Sequence, residues 1–242
     1  MNRSGKRLGY ISPGALETMV HDFFRCAPSG LRFSGLSSGI VGWAPEQFDM
    51  AVAKLIEGCT YLVEKAGADF IIAAGGPLMI LRGNGADLEM MKQIREATGV
   101  EITVSARSVL SAFEHLGIRR IAMATPYPPY LQKKAIDFYS AGGLEIVKDA
   151  YLDLPMQKVL SADFTPEQVY DWGREILAGA PDAEGLFIAG GQLRALEAVE
   201  ALERDYGRPV VVSNSADFWL AFRALGIRPK IEGNGTLLRS LS

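Results

Sequence analysis

At 242 residues, 48% hydrophobic and 22% charged, the chain is long enough to bury one large core or two smaller ones, and its composition is that of a globular protein, not a disordered one. The formal net charge is −3 and the Lys and Arg residues are scattered, which leaves no basic stripe for a phosphate backbone and excludes nucleic acid as the expected partner. Two cysteines, Cys26 and Cys59, form no disulfide framework and stand in no Cys/His cluster, so zinc-type ligation is not expected and a reducing cytoplasm fits.

The opening MNRSGKRLGYISPG carries charge but no apolar stretch behind it, unlike a secretory signal. No apolar run approaches the ~18 residues of a membrane helix. Leu8–Ser12 reads as a buried strand closed by Pro13-Gly14, Ala15–Phe24 as a helix, Leu31–Ser34 as a second strand and Gly35–Gly42 as a loop. One long helix is predicted over Pro45–Lys65, because Phe48, Val52, Leu55, Ile56, Cys59 and Leu62 recur at three- and four-residue intervals. Asp69–Ala74 is a strand broken by Gly75-Gly76-Pro77, followed by a helix over Gly85–Thr98, a strand over Ile102–Ser105 and a helix over Ala106–Leu116.

The order then restarts. Arg120–Thr125 reads as a strand, Tyr130–Ser140 as a helix and Leu144–Lys148 as a strand, with Asp149–Phe164 an irregular crossing. Pro166–Leu177 is a helix with Thr165 as its N-cap, Gly185–Ala189 a strand, Gln192–Tyr206 a helix, Pro209–Ser213 a strand and Ala216–Leu225 the last helix, before the glycine-rich Gly226–Ser242.

The two passes superpose. LGYISPG at Leu8–Gly14 matches IAMATPY at Ile121–Tyr127, and GADFIIAAGGPL at Gly67–Leu78 matches DAEGLFIAGGQL at Asp182–Leu193. TVSARSVLSAFEHLGI at Thr103–Ile118 matches VVSNSADFWLAFRALGI at Val211–Ile227 with one residue of slippage. The expected architecture is therefore α/β. Two pseudo-symmetric halves, residues 1–118 and 119–242, each carry a four-stranded parallel sheet flanked by helices, with a cleft between them and the C-terminal segment free to pack back on the first half. Ligands of such sheets sit at the carboxyl ends of the strands, here Ser12-Pro13-Gly14, Gly75-Gly76-Pro77, Ser105, Thr125-Pro126-Tyr127, Gly190-Gly191-Gln192 and Ser213-Asn214-Ser215.

These motifs, together with LRGNG at Leu81–Gly85, REATGV at Arg95–Val100, LGIRRIAMATPY at Leu116–Tyr127 and ADFW at Ala216–Trp219, resemble the aspartate/glutamate racemase superfamily over nearly the whole chain, in the branch of arylmalonate decarboxylase and maleate cis-trans isomerase. The resemblance implies a carboxylate held between the lobes, with no metal and no organic cofactor. It also implies one catalytic cysteine at the middle strand of each lobe in racemases and isomerases, and only the second in the decarboxylase. By alignment those positions are Gly75 and Gly190. A thiol passes protons and glycine does not, so thiol chemistry is not expected; Cys59 lies in a helix stripe and Cys26 after the first helix.

The resemblance further implies that Tyr127, the best single candidate for catalysis, holds a carboxylate, and that Gly191 supplies a backbone donor. Pro13, Gly76, Pro77, Tyr127, Gly191, Gln192 and Asn214 are the expected substrate-binding positions, with amides of Gly75, Gly76, Gly191 and Gln192 at helix N-termini serving as anion donors. Asn214 has a second reading as the N-cap of the last helix, Arg82 as a structural ion pair, Tyr10 as a packed strand residue, Tyr130 with Lys133 as solvated surface, and His21 and His115 as helix residues away from strand ends. The function these features predict is a cofactor-independent lyase or isomerase acting on a small dicarboxylate or an aryl- or alkenyl-substituted acid. The alternatives are a non-catalytic carboxylate binder and an enzyme of altered, non-thiol chemistry. A homo-oligomer is left open.

Overall fold

Two parallel sheets of the same strand order organise the chain. The computed structural model describes residues 5–242, so the first four residues of the N-terminal stretch tested above for a secretory signal lie outside the description. The first lobe runs β1 (Arg7–Ser12), α1 (Glu17–Cys26), β2 (Arg32–Ser37), α2 (Pro45–Ala53), α3 (Leu55–Glu64), β3 (Phe70–Ala73), α4 (Gly76–Ile80), α5 (Ala86–Thr98), β4 (Ile102–Val104) and α6 (Ser105–Leu116). The second runs β5 (Arg120–Thr125), α7 (Pro129–Ala141), β6 (Glu145–Tyr151), α8 (Met156–Leu160), α9 (Pro166–Ala178), β7 (Gly185–Ile188), α10 (Leu196–Tyr206), β8 (Val210–Val212), α11 (Ser213–Ala224) and α12 (Gly235–Arg239).

The sheets are ordered β2-β1-β3-β4 and β6-β5-β7-β8, so the sequence repeat is a repeat of topology. Every pair is parallel. The central β3 and β7 are buried at every residue, whereas the edges β2 and β6 are partly exposed, as expected when helical crossovers cover both faces of a parallel sheet. No helix of the described residues is long and apolar enough to cross a membrane.

Local differences from the sequence reading have identifiable causes. β2 does not stop at Ser34: it pairs with β1 from Arg7↔Arg32 to Ser12↔Ser37, so neighbouring backbone carries the strand through Gly35, which the Gly/Ser composition suggested was loop. The long helix predicted over Pro45–Lys65 breaks at Lys54, and each piece buries its own face, Phe48 and Ala51 on α2 and Leu55, Cys59 and Leu62 on α3. β6 continues to Tyr151 because β5 offers partners up to Thr125. The crossing read as irregular then contains α8, with Met156 and Val159 buried. α9 starts as expected at Thr165, whose Oγ1 accepts from the Gln168 N–H at 3.3 Å while Gln168 Oε1 accepts from the Thr165 N–H at 2.9 Å, a reciprocal capping box. The glycine-rich tail contains α12, which packs on α10, α11 and β8, and Ser240 beyond it bonds to His115 and Trp219.

α6 and α11 lie against one another, and each also reaches the other lobe's sheet, α11 touching β3 and β4 and α6 touching β8. This pair of helices forms the seam between the lobes, and both start at strand ends.

Candidate functional site

The carboxyl ends of β1, β3, β4, β5, β7 and β8 converge on a cavity of about 80 Å³, space for roughly half a dozen water-sized groups. Every expected site position lines it: Pro13, Gly75, Gly76, Pro77, Tyr127, Gly190, Gly191, Gln192 and Asn214. Both Gly-Gly turns enter through a left-handed residue, Gly75 at φ +93° and Gly190 at φ +102°. A Cβ at Gly75 would stand 2.5 Å from Pro13 Cγ, and one at Gly190 would stand 3.0 Å from Leu193 Cγ and 3.2 Å from Pro126 Cγ, so the backbone is pressed against each lobe's proline. Among the described residues the amides of Gly190 and Gly191 donate to no protein acceptor, and they are available to a ligand.

The second turn differs from expectation in one respect. α10 begins at Leu196, several residues past Gln192, so Gly191 and Gln192 belong to a turn and not to a helix N-terminus, and the helix dipole does not act there. The Gln192 side chain is committed elsewhere: its Oε1 accepts from the Thr18 N–H at 3.2 Å and its Nε2 donates to the Ala15 carbonyl. It ties the second lobe to the start of α1.

Tyr127 is buried, with its ring edge-on to Trp43 at 5.6 Å. Its hydroxyl lies 3.3 Å from where a Gly76 Cβ would stand, so it faces the first lobe's turn from the second lobe. Burial pushes its pKa above the usual phenol range, so it is a donor and not a base. Asn214 is not the N-cap of α11, a position taken by Val212. Its Nδ2 donates to Asp22 Oδ2 at 2.7 Å and to the Gly191 carbonyl at 2.9 Å, while Oδ1 has no partner and stands 2.9 Å from where a Gly191 side chain would begin. Asp22 itself is buried and its carboxyl is pushed up to about 6, burial outweighing the hydrogen bonds from Asn214 and His21.

The rest of the lining is largely apolar: Ile40, Trp43 and Phe48 from the first lobe, Met156, Val159 and Leu160 from the second. Two covering segments meet there, Trp43 Nε1 donating to the Leu154 carbonyl at 2.8 Å. A lining that combines turn amides and phenols with apolar side chains suits a ligand with one charged end to hold and another to desolvate.

A model of the arylmalonate decarboxylase family matches residues 8–238. The chain belongs to that family. It is 29% identical over 219 residues to the arylmalonate decarboxylase of Bordetella bronchiseptica, covering 90% of each chain, and 25% identical over 189 residues to a maleate isomerase of Pseudomonas putida, covering 74% of this chain and 73% of the relative. In structure it is similar to a Gly-to-Cys, Cys-to-Ser double mutant of arylmalonate decarboxylase in the liganded form, with TM-score 0.89, 29% identity and coverage of 96% and 98%. It also shares the fold of a Cys-to-Ser mutant of Nocardia farcinica maleate cis-trans isomerase with a covalently bound succinylcysteine intermediate, with TM-score 0.86, 22% identity and coverage of 97% and 98%.

Other candidates fall outside the cavity of this arylmalonate decarboxylase family member. Cys26 and Cys59 are buried, line no part of it, and burial pushes each thiol up to about 12. Arg82 pairs with Asp49 at 2.5 Å and donates to the Leu78 carbonyl at 2.8 Å. His115 bonds to Ser240 and Arg223 against the Trp219 ring, and His21 contacts Asp22 at 3.4 Å. Tyr130 is exposed and bonds to the Trp43 carbonyl, while Lys133 pairs with Asp137 at 3.3 Å. No cluster of His, Cys, Asp or Glu able to hold a metal occurs among the described residues.

Tyr10 is both packed and cavity-lining. The residue that sequence reasoning passed over is Asp217, fully buried, lining the cavity, and hydrogen-bonded at 2.6 Å by Ser105. Its signal was present: a carboxylate one helical turn from Asn214 on a helix starting at a strand end shares that residue's face, yet it sat inside the apolar run of ADFW.

Proposed function

We propose that the chain is a cofactor-independent decarboxylase of a small substituted malonate. The observation that carries the reading is the mixed lining of the cavity, which sets unpartnered turn amides and Tyr127 beside the apolar side chains of Ile40, Trp43, Phe48, Met156, Val159 and Leu160. One carboxylate of the substrate is held by the Tyr127 hydroxyl and the amides of Gly190 and Gly191. The other is forced against the apolar wall, where a charge loses its hydration. Losing carbon dioxide relieves that penalty, and the negative charge moves into the retained carboxylate as an enediolate, which the same donors stabilise. The family relatives named above, a decarboxylase and an isomerase, support this class of substrate.

Decarboxylation is preferred over isomerisation because the trapped succinylcysteine of the isomerase structure is a covalent bond to sulfur, which no cysteine at this cavity can form, whereas the proton that follows carboxylate loss can come from an acid other than a thiol. The positions aligned with the family's cysteines are Gly75 and Gly190, so the proton must come from another group. The test is to incubate the chain with carboxyl-¹³C-labelled methylmalonate and phenylmalonate and follow ¹³CO₂ by NMR. Release is expected. Tight carboxylate binding with no release, exchange or isomerisation identifies a non-catalytic binder and sinks the enzymatic reading.

A further inference from the structure

We propose that the carboxyl group of Asp217, held by Ser105 across the seam between the lobes, is the proton donor that quenches the carbon after carboxylate loss. The inference rests on the decarboxylation reading above and supplies the group that reading lacks. Asp217 is fully buried and lines the cavity. Ser105, from the other lobe and also cavity-lining, donates its hydroxyl to Asp217 Oδ2 at 2.6 Å, while Oδ1 has no protein partner. A buried carboxyl with one oxygen unpaired is costly, and the seam does not depend on it, since Phe218, Trp219 and Phe222 of α11 are buried alongside. A costly polar group beside a cavity is a functional candidate.

The surroundings fix its protonation state. The groups facing Asp217 are the hydroxyls of Ser105 and Ser108 on α6, Tyr10 on β1 and Tyr139 on α7, with Asp22 of α1 acting on the same Tyr10. The strands behind it, β3, β4 and β8, carry no charged residue, and Arg239 of α12 is occupied by Glu200 and Glu203. Burial therefore outweighs the Ser105 hydrogen bond and the Ser108 hydroxyl and raises the Asp217 carboxyl to about 7, so a large fraction carries its proton at neutral pH.

In the step itself, the bond between the α-carbon and the departing carboxylate breaks, carbon dioxide leaves, and the electron pair stays on the α-carbon, delocalised into the retained carboxylate. The Asp217 O–H bond then breaks as its proton forms the new C–H bond, leaving Asp217 as a carboxylate. A solvent proton restores it before the next turnover. No other reactant is consumed.

The test uses the whole chain, with labelled methylmalonate and phenylmalonate as substrates and phenylacetate as a binding probe in calorimetry. Asp217→Asn keeps shape and removes the acidic proton, so kcat is expected to fall about 100-fold or more, with phenylacetate affinity changed by no more than a few-fold. Native kcat is expected to decline as pH rises through about 7. Ser105→Ala removes a hydrogen bond that favours the charged form and is expected to move that decline to higher pH, which a purely structural tie does not do. Native release of carbon dioxide with an equally active Asp217→Asn variant overturns the Asp217 assignment alone. A native chain that binds phenylacetate but releases nothing from either malonate overturns the decarboxylase reading and this proposal with it. If Asp217→Asn does not fold, a decline that stays at the same pH in Ser105→Ala overturns the proposal.

Discussion

Laid on one another through their repeat, the two lobes put Gly14 opposite Tyr127, by the match of LGYISPG with IAMATPY, and Ser108 opposite Asp217, by the shared Leu-Gly-Ile that ends α6 and α11. Sheet order, turn geometry and the proline before each of the first pair are common to both lobes. What differs at these matched positions is the chemistry: the second lobe has a phenol and a carboxyl where the first has a bare backbone and a hydroxyl. The symmetric scaffold builds the cleft, and asymmetric side chains decide which end of a ligand meets which wall. Ser105 joins the two by bonding its lobe to the other lobe's acid.

That asymmetry is open to direct attack. Its largest expected consequence is at Tyr127, whose matched position in the first lobe is Gly14 and carries no phenol. Tyr127→Phe is expected to lower kcat/KM for the labelled malonates by about 100- to 1000-fold, the usual effect of losing one donor to a developing oxyanion. Steady-state kinetics check this, and a loss under threefold removes Tyr127 from the site.

The next effect concerns stability. Asp217 is raised to about 7 from 3.8, so the folded chain holds a proton that the unfolded chain has already released. The stability this proton represents is present at pH 4 and is lost as pH climbs through 7. Asp217→Asn is expected to flatten that fall, by no more than about 3 kcal/mol, in urea melts at pH 5 and pH 8. Asp22, raised to about 6 for the same reason, contributes to the remaining slope. Parallel slopes in the native chain and the variant contradict the burial argument.

A smaller difference separates the two turns. Gly75→Ala drives a methyl into the Pro13 ring at 2.5 Å, whereas Gly190→Ala makes the lesser approaches of 3.0 Å to Leu193 Cγ and 3.2 Å to Pro126 Cγ. Both share the left-handed strain, so losses of about 3 and about 1–2 kcal/mol are expected from urea melts, the first lobe being the less tolerant. The smallest effect lies away from the seam: Thr165→Ala deletes the capping box of α9 and is expected to cost about 1 kcal/mol with kcat unchanged.

Much of this was legible in the residues. The strand at Arg120–Thr125, the capped start of α9 and the helices after each strand follow from apolar periodicity and punctuation, which act over a few residues. Boundaries went astray where a neighbour overrode local composition: Gly35 is in a strand because β1 lies beside it, and Lys54 interrupts a stripe that looked continuous because α2 and α3 bury separate faces. Within the cavity, Tyr127 and the Gly-Gly turns were readable as strand-end features. Asp217 was not, because an acid in an apolar helical run reads as a solvated position until the opposing helix is known.

By itself, then, the sequence determined the parallel α/β class, the doubling of the unit and the strand ends where a ligand belongs, all of which depend on short-range periodicity and on two copies of one pattern. The tertiary structure alone decided that α6 and α11 pack together, that Ser105 and Asp217 meet although 112 positions apart, and that Gln192 is spent on Thr18. A carboxyl's protonation state is set by what surrounds it in three dimensions. No reading of its neighbours along the chain supplies that.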